Sequence, residues 1–166
     1  GFGSGAGTIF GTTGGVMEAA LRSAYNFVTG ENPSVDTFEV IRGEKGWREA
    51  TFELPGKKLN IAIAHGLKNA SELLEALSAG EVSYDFVEVM ACPGGCVGGG
   101  GQPIHDGCNS VPDRMEVLRT LDNAAQVRFC HENPMIIACY DNYLGERGSE
   151  RAHKLLHTDH TAWSLV

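Results

Sequence analysis

The chain has no run of lysines or arginines, and its 13 basic residues are outnumbered by 21 acidic ones, for a formal net charge of -8. Phosphate backbones are held by clustered cations, so this composition argues against nucleic acid as a partner. Long hydrophobic runs are also missing. Stretches such as Ile61–Ala64 and Pro134–Cys139 fall far short of the ~20 apolar residues a helix needs to cross a bilayer, so no membrane span is expected. The five cysteines are an odd number, which excludes complete internal disulfide pairing, and a chain this well supplied with apolar residues needs no disulfide framework. No closely spaced four-cysteine run of the ferredoxin kind occurs, so the sequence shows no ferredoxin-type cluster site. The first residues, Gly1-Phe2-Gly3-Ser4-Gly5-Ala6-Gly7, have neither an initiator methionine nor the charged-then-apolar pattern of a signal peptide. A start in mid-motif suggests a fragment, a processed product or one half of a split protein. The missing signal favours the cytoplasm, with the periplasm open if a partner carries the signal.

What is present reads as a globular chain. Its 166 residues, 42% hydrophobic and 20% charged, fit one domain or a large piece of a bigger one. Of the 22 glycines, 13 fall in two clusters, Gly1–Gly15 and Gly94–Gly101, where backbone must turn sharply or come close to a ligand. The first cluster reads as a loop with a short strand at Thr8–Phe10, followed by a helix from Gly14 to Tyr25 capped by Thr12 or Thr13. Thr37–Arg42 and Trp47–Leu54 read as a β-hairpin around Gly43–Gly46. Leu59–Ala64, an amphipathic helix Asn69–Ala79 with Leu73, Leu74 and Leu77 inward, and Phe86–Met90 make a βαβ unit with a parallel crossover. Helices are expected at Asp113–Thr120, Ala124–Cys130, Asn133–Tyr143 and Ser149–His157. The predicted fold class is α/β: a parallel βαβ lobe with a β-hairpin insertion and a helical C-terminal tail. It forms a single lobe, with residues 1–112 as the α/β part and 113–166 as the helical tail.

One stretch carries chemistry: Val89-Met90-Ala91-Cys92-Pro93-Gly94-Gly95-Cys96-Val97-Gly98-Gly99-Gly100-Gly101-Gln102-Pro103. Two thiolates four residues apart can bind one metal centre, and soft sulfur ligands select iron–sulfur clusters or zinc. The surrounding glycines let backbone N–H groups approach cluster sulfides or an anion. The loop also follows the second strand of the βαβ unit, the sheet edge where open α/β folds place ligands. The bland alternative is a glycine-rich turn holding two buried thiols.

This segment resembles the third cluster-binding signature of iron-only ([FeFe]) hydrogenases. Phe10-Gly11-Thr12-Thr13-Gly14-Gly15-Val16-Met17-Glu18-Ala19-Ala20-Leu21-Arg22 resembles the family's second glycine-rich signature. His65-Gly66-Leu67-Lys68-Asn69-Ala70 resembles its strand-to-helix turn. Glu132-Asn133-Pro134, Tyr140, Tyr143-Leu144-Gly145, Ser149 and Ala152–Thr158 resemble its C-terminal tail. The resemblance implies a cofactor made of a [4Fe–4S] cluster joined to a two-iron subcluster with CO, CN⁻ and a bridging dithiolate. By position, Cys92 would ligate the cubane. Cys96 would ligate the cubane and also bridge to the two-iron unit. Met90 would pack against the diatomic ligands and Phe10 would line their pocket. The implied reaction is the reversible oxidation of H₂ to protons and electrons. Two of the family's cubane cysteines, its proton-delivering cysteine and its cyanide-holding lysine lie upstream and have no match here. An upstream lobe, on the same chain or a separate one, is therefore the expected partner. Ferredoxin or an NAD(P)-linked diaphorase subunit is the expected electron-transfer partner.

Two other readings stay open: a hydrogenase-like iron–sulfur sensor or assembly protein without H₂ turnover, and a zinc-binding structural module. Cys108, Cys130 and Cys139 lie outside the matching motif, and packing roles are expected of Cys130 and Cys139. Glu18 reads as a first-turn carboxylate favoured by the helix dipole. His65 and His105 read as hydrogen-bonded loop histidines. His153, His157 and His160 have no partner set to complete a metal site. Met17 and Met115 read as core.

Overall fold

The computed structural model describes residues 2–104 and 110–158. His105, Cys108 and His160 lie outside the described residues. The centre is a three-stranded sheet of β1 (Trp47–Leu54), β2 (Lys57–His65) and β3 (Phe86–Met90), in the order β1-β2-β3. β1 and β2 are antiparallel, with Ala50 opposite Ile61. β2 and β3 are parallel, with Ile61 opposite Phe86 and His65 opposite Met90. The crossover between them is a helix over Leu67–Ser78, so the expected βαβ unit is present.

The central strand explains the layering. Ile61, Ala62, Ile63, Ala64 and His65 are all buried, and successive side chains point to opposite faces. Ile61 and Ile63 join Met17, Leu21, Phe38, Ile41 and Phe52 on one side. Ala62 and Ala64 join Leu73 on the other. Small alanines on that face let the crossover helix sit close to the strand. Among the described residues six α-helices, counted in chain order, flank or follow the sheet: α1 (Gly5–Thr8), α2 (Gly15–Thr29), the crossover helix α3, α4 (Val111–Ala124), α5 (Pro134–Cys139) and α6 (Glu150–Leu156). Met17 on α2 is fully buried and Met115 on α4 nearly so, as their apolar character suggests.

Several local expectations are corrected. The hairpin partner of Trp47–Leu54 is Lys57–His65, closed through Pro55-Gly56, not Thr37–Arg42. Residues Val35–Ile41 form 3₁₀ turns instead. Phe38 and Ile41, three apart, are both buried while Val40 is exposed, and a three-residue repeat is the period of that helix, not of a strand. Thr8–Phe10 is no strand either. Ser4 caps a helical turn there, its Oγ accepting the Gly7 N–H at 3.3 Å, and a 3₁₀ turn follows at Ile9–Gly11. The helix expected over Ala124–Cys130 does not form: α4 ends at Ala124 and a 3₁₀ turn begins only at Cys130. The chain leaves α4 in extended form at Ala125, and the carbonyls of Val127 and Arg128 accept the N–H groups of Gly5 and Ala6. Leu74 is 55% exposed, so the inward face of α3 is formed by Ala70, Leu73 and the half-buried Leu77 instead. After α5 the helical path continues as a wider π turn over Tyr140–Leu144 and stops at Gly145.

Candidate metal-binding loop

The Cys92–Gln102 loop leaves the C-terminal end of β3 and is tied down from several elements. The Gly95 N–H donates to the Cys92 carbonyl at 3.0 Å, and a 3₁₀ turn follows over Cys96–Gly98. The Thr13 N–H donates to the Gly94 carbonyl at 2.9 Å, so the two glycine-rich segments touch directly. The Gly94 N–H donates to His65 Nδ1 at 2.8 Å. Since that nitrogen accepts, the imidazole carries its proton on Nε2, which donates to the Glu44 carbonyl at 3.1 Å. From α4, Arg114 donates to the Val97 carbonyl at 2.9 Å and to the Pro103 carbonyl at 2.6 Å.

Glycine is required by contact at two loop positions. A Cβ on Gly95 would lie 2.8 Å from both the Gly11 carbonyl oxygen and the Thr13 nitrogen, at a φ of +95°. A Cβ on Gly98 would lie 2.0 Å from the Pro93 carbonyl oxygen. These close backbone approaches hold the two thiols in one small region. A Cβ on Gly99 would stand 3.2 Å from the Cys92 sulfur and 3.2 Å from the Cys96 carbonyl oxygen. Both thiols are free, Cys92 half-buried and Cys96 exposed. Cys96 borders a cavity of about 530 Å³ with Gly11, Gln102 and Arg114.

Met90 is half-buried and ends β3, its carbonyl accepting the Gly66 N–H at 2.9 Å. Phe10 is 48% exposed. It borders a different cavity from Cys96, one of about 370 Å³ with Phe27, Cys130, His131, Ile136 and Tyr140. The chain thus joins Cys92 and Cys96 in one loop, with Met90 on the strand leading into it. The Phe10 ring belongs to a neighbouring recess.

The residue that sequence reasoning missed is Glu88. It is buried on β3, and its carboxylate accepts the Gly14 N–H at 2.6 Å and the Met17 N–H at 2.7 Å. This carboxylate, not Thr12 or Thr13, caps α2. Thr12 Oγ1 turns back to the Ile9 carbonyl, and Thr13 Oγ1 accepts from Arg48. Burial pushes the Glu88 carboxyl above its ordinary value, offset only in part by the Met17 and Gly14 N–H groups and Arg48. A signal existed in the sequence: a lone charge inside the apolar strand Phe86-Val87-Glu88-Val89-Met90. A buried carboxylate must find donors.

Glu18 is fully buried and ion-paired with Arg22 at 2.6 Å, Arg42 at 2.7 Å and Arg119 at 3.3 Å. Asp122 completes the cluster through Arg22 at 2.7 Å and Arg128 at 3.0 Å. Burial pushes the Glu18 carboxyl up, but Arg42 and Arg22 more than offset it and hold it below the ordinary range. Asp122 is lowered in the same way, burial being outweighed by Arg22 and Arg128. The network staples α2 to α4 beneath the loop. Cys130 is half-buried beside Ser23, whereas Cys139 is exposed. His153 and His157 stack on each other with centroids 4.3 Å apart. No group of three or more metal-binding side chains forms among the described residues. Two free thiols in one loop are soft donors of the kind that thiophilic metal centres take.

Residues 1–100 match the family model for the iron only hydrogenase large subunit, C-terminal domain, and residues 110–163 match that for the iron hydrogenase small subunit. The chain is 50% identical over 156 residues to the NADP-reducing hydrogenase subunit HndD of Solidesulfovibrio fructosivorans, covering 93% of this chain and 26% of that protein. It is 33% identical to cytosolic iron-sulfur assembly component 3 of Mus musculus, covering 92% of this chain and 32% of that protein. A solved variant of [FeFe]-hydrogenase HydA1 from Chlamydomonas reinhardtii superposes with a TM-score of 0.68 at 40% identity, over 90% of this chain and 44% of that one. The chain spans about a quarter to a third of the length of these curated relatives. By its sequence match and its fold, the chain belongs to the iron-only hydrogenase family, in the C-terminal domain of the large subunit.

Proposed function

We propose that this chain supplies part of an [FeFe]-hydrogenase active site, catalysing the reversible oxidation of H₂ to two protons and two electrons once the upstream part of the domain is present. One observation carries this reading. Cys92 and Cys96 sit in a loop whose backbone is pressed so closely against the Gly11–Thr13 segment that Gly95 has no room for a side chain. Such a loop presents two free thiols at the sheet edge. In this reading Cys92 and Cys96 would hold, as thiolates, a [4Fe–4S] cluster, and Cys96 would also hold the two-iron unit with CO, CN⁻ and a dithiolate. The bound cofactor supplies the electron storage and the H–H chemistry, while the protein sets position and surroundings. Met90 offers a soft, polarizable wall beside the loop. Phe10, 48% exposed, borders the neighbouring recess. His65 and Glu88 fix the loop and the turn it rests on.

The similarity to an NADP-reducing subunit supports an NAD(P)-linked diaphorase subunit as electron partner, with ferredoxin as the other candidate. No helix among the described residues is long and apolar enough to cross a membrane. A cytoplasmic location is proposed, with the periplasm as the alternative.

A second reading has a specific observation behind it: the similarity to a cytosolic iron–sulfur assembly component. In that case the loop would hold an iron–sulfur cluster without H₂ turnover. The test is on the complete two-lobe protein, by iron and sulfide content, infrared bands of CO and CN⁻, and H₂ evolution from a reduced dye. The hydrogenase reading expects all three. Iron and sulfide with neither bands nor H₂ would establish the assembly reading in its place.

A further inference from the structure

A second reactive cluster lies away from the Cys92–Cys96 loop, at the far wall of the Phe10 cavity. Ser23 Oγ on α2 stands 3.2 Å from Cys130 Sγ and 3.0 Å from His131 Nδ1. His131 Nε2 stands 2.9 Å from Asn32 Oδ1. The Asn32 amide is oriented by its Nδ2, which donates to Glu132 Oε1 at 2.5 Å, and its Oδ1 also accepts from Asn26 Nδ2 at 3.2 Å. These bonds fix every proton. Asn32 Oδ1 can only accept, so His131 carries its proton on Nε2 and its Nδ1 is a free base. The Ser23 hydroxyl therefore donates to Nδ1, and its oxygen is left to accept the Cys130 S–H. The thiol has a ready exit for its proton: to Ser23, and from Ser23 to His131.

The surroundings keep that base neutral and give the thiol a cavity. Burial pushes the His131 imidazole below its ordinary value, and nearby Arg147 adds to this against the pull of Glu132. The cavity of about 370 Å³ is walled by Phe10, Val16, Ala19 and Ile136, with Cys130 at its edge. Arg147 also borders it, its guanidinium 4.6 Å from the Phe27 ring centroid and in no ion pair among the described residues. An apolar recess with a thiol, a base one hydroxyl away and an unpaired cation suits a small electrophile bearing a carboxylate.

We propose that Cys130 is a base-assisted nucleophilic thiol that exchanges with small carboxylate-bearing disulfides, forming a mixed disulfide in the Phe10 cavity. The Cys130 proton passes through Ser23 to His131. The thiolate attacks one sulfur of the incoming disulfide, the S–S bond breaks, and the other half leaves as a thiolate that takes up the proton. Arg147 pairs with the carboxylate of the half that stays. The attached group fills the recess beside Phe10, which places a redox-dependent modification next to the segment that supports the Cys92–Cys96 loop.

The test uses the complete protein under anaerobic conditions with two probes, dithiodiglycolate (anionic) and cystamine (cationic). Site-resolved mass spectrometry follows labelling at Cys130 and at the exposed Cys139. Cys130 is expected to react with dithiodiglycolate about tenfold faster than Cys139, despite its lower exposure, because Ser23 and His131 stand ready to take its proton. Ser23→Ala and His131→Gln should each slow Cys130 labelling about tenfold by breaking the proton exit, with Cys139 unchanged as the internal check on folding. Arg147→Gln should remove the preference for dithiodiglycolate over cystamine. The proposal is overturned if Cys130 reacts no faster than Cys139, or if Ser23→Ala and His131→Gln leave its rate unchanged.

Discussion

The Glu88 carboxylate on β3 accepts the N–H of Met17 at 2.7 Å, a bond that joins residues 71 apart in sequence. Two residues beyond Glu88 on the same face of β3 stands Met90, and Cys92 follows. One side chain therefore links the strand that delivers the cysteine loop to the helix that follows the first glycine-rich segment. Its other oxygen holds the Gly14 N–H at 2.6 Å, so the bond spans both motifs. Glu88→Ala should strand these two buried donors, at a cost of about 2–4 kcal/mol. Glu88→Gln keeps one acceptor and should cost less. Chemical unfolding of the complete protein checks the order. Equal stability of both variants with the parent would show that the α2 cap is held by something else.

Glu18 gives a prediction with a pH sign. Its carboxyl and that of Asp122 are held below their ordinary values by the arginines around them. A depressed folded-state value means that the unfolded chain binds the proton more readily. The stability these groups contribute is full above the ordinary carboxylate range, about pH 4, and is lost as pH falls through the lower folded-state values. Glu18→Gln should remove about 3 kcal/mol at neutral pH, because Arg22, Arg42 and Arg119 lose a buried partner. It should also flatten the acid limb of stability against pH. Thermal unfolding from neutral to acid pH measures both, and an unchanged acid limb would refute the assignment.

The glycine loop offers a steric comparison within one motif. Gly98→Ala would drive a methyl group to 2.0 Å from the Pro93 carbonyl oxygen, whereas nothing lies within 4 Å of a Cβ on Gly100. Gly98→Ala should lower iron per polypeptide in the complete protein, while Gly100→Ala should retain it. Equal iron in both would mean that the loop adapts and that its close packing does not serve the metal.

The apolar surface sets an expectation for the chain taken alone. Phe2, Leu67, Phe86 and Val89 are each at least 43% exposed, and among the described residues β3 pairs on one side only. Surfaces of this kind mark an interface or an aggregation hazard. The isolated chain should associate or aggregate and evolve no H₂ after cofactor reconstitution. Size-exclusion chromatography and a dye-linked assay check this. A monodisperse, active chain would contradict the need for an upstream lobe.

How far the sequence carries can be seen in particular residues. The βαβ unit was legible because Leu59–Ala64 and Phe86–Met90 are short apolar runs flanking an amphipathic helix, a pattern few other topologies satisfy. The cysteine loop was legible because it combines sulfur with dense glycine. The hairpin partner was not, since Thr37–Arg42 carries the apolar content of a strand but buries Phe38 and Ile41 in 3₁₀ geometry. The non-helical path after Ala124 was not legible either, because it depends on N–H groups of Gly5 and Ala6 more than a hundred residues away. Helix caps are usually local, and Thr12 and Thr13 satisfied the local rule. The structure instead uses Glu88, a tertiary cap that no short window of sequence contains.

The most direct test of the central claim compares two cysteines in the complete two-lobe protein. Cys96→Ala should abolish H₂ activity and remove the CO and CN⁻ infrared bands, leaving at most a cubane held by three thiolates. Cys92→Ala should damage the cubane first, seen as lost iron and an altered electron paramagnetic resonance signal. Cys139→Ala, at an exposed thiol outside the loop, should keep the full metal load and the bands. An intact, active cofactor in Cys96→Ala together with metal loss in Cys139→Ala would contradict the account and place the cluster elsewhere.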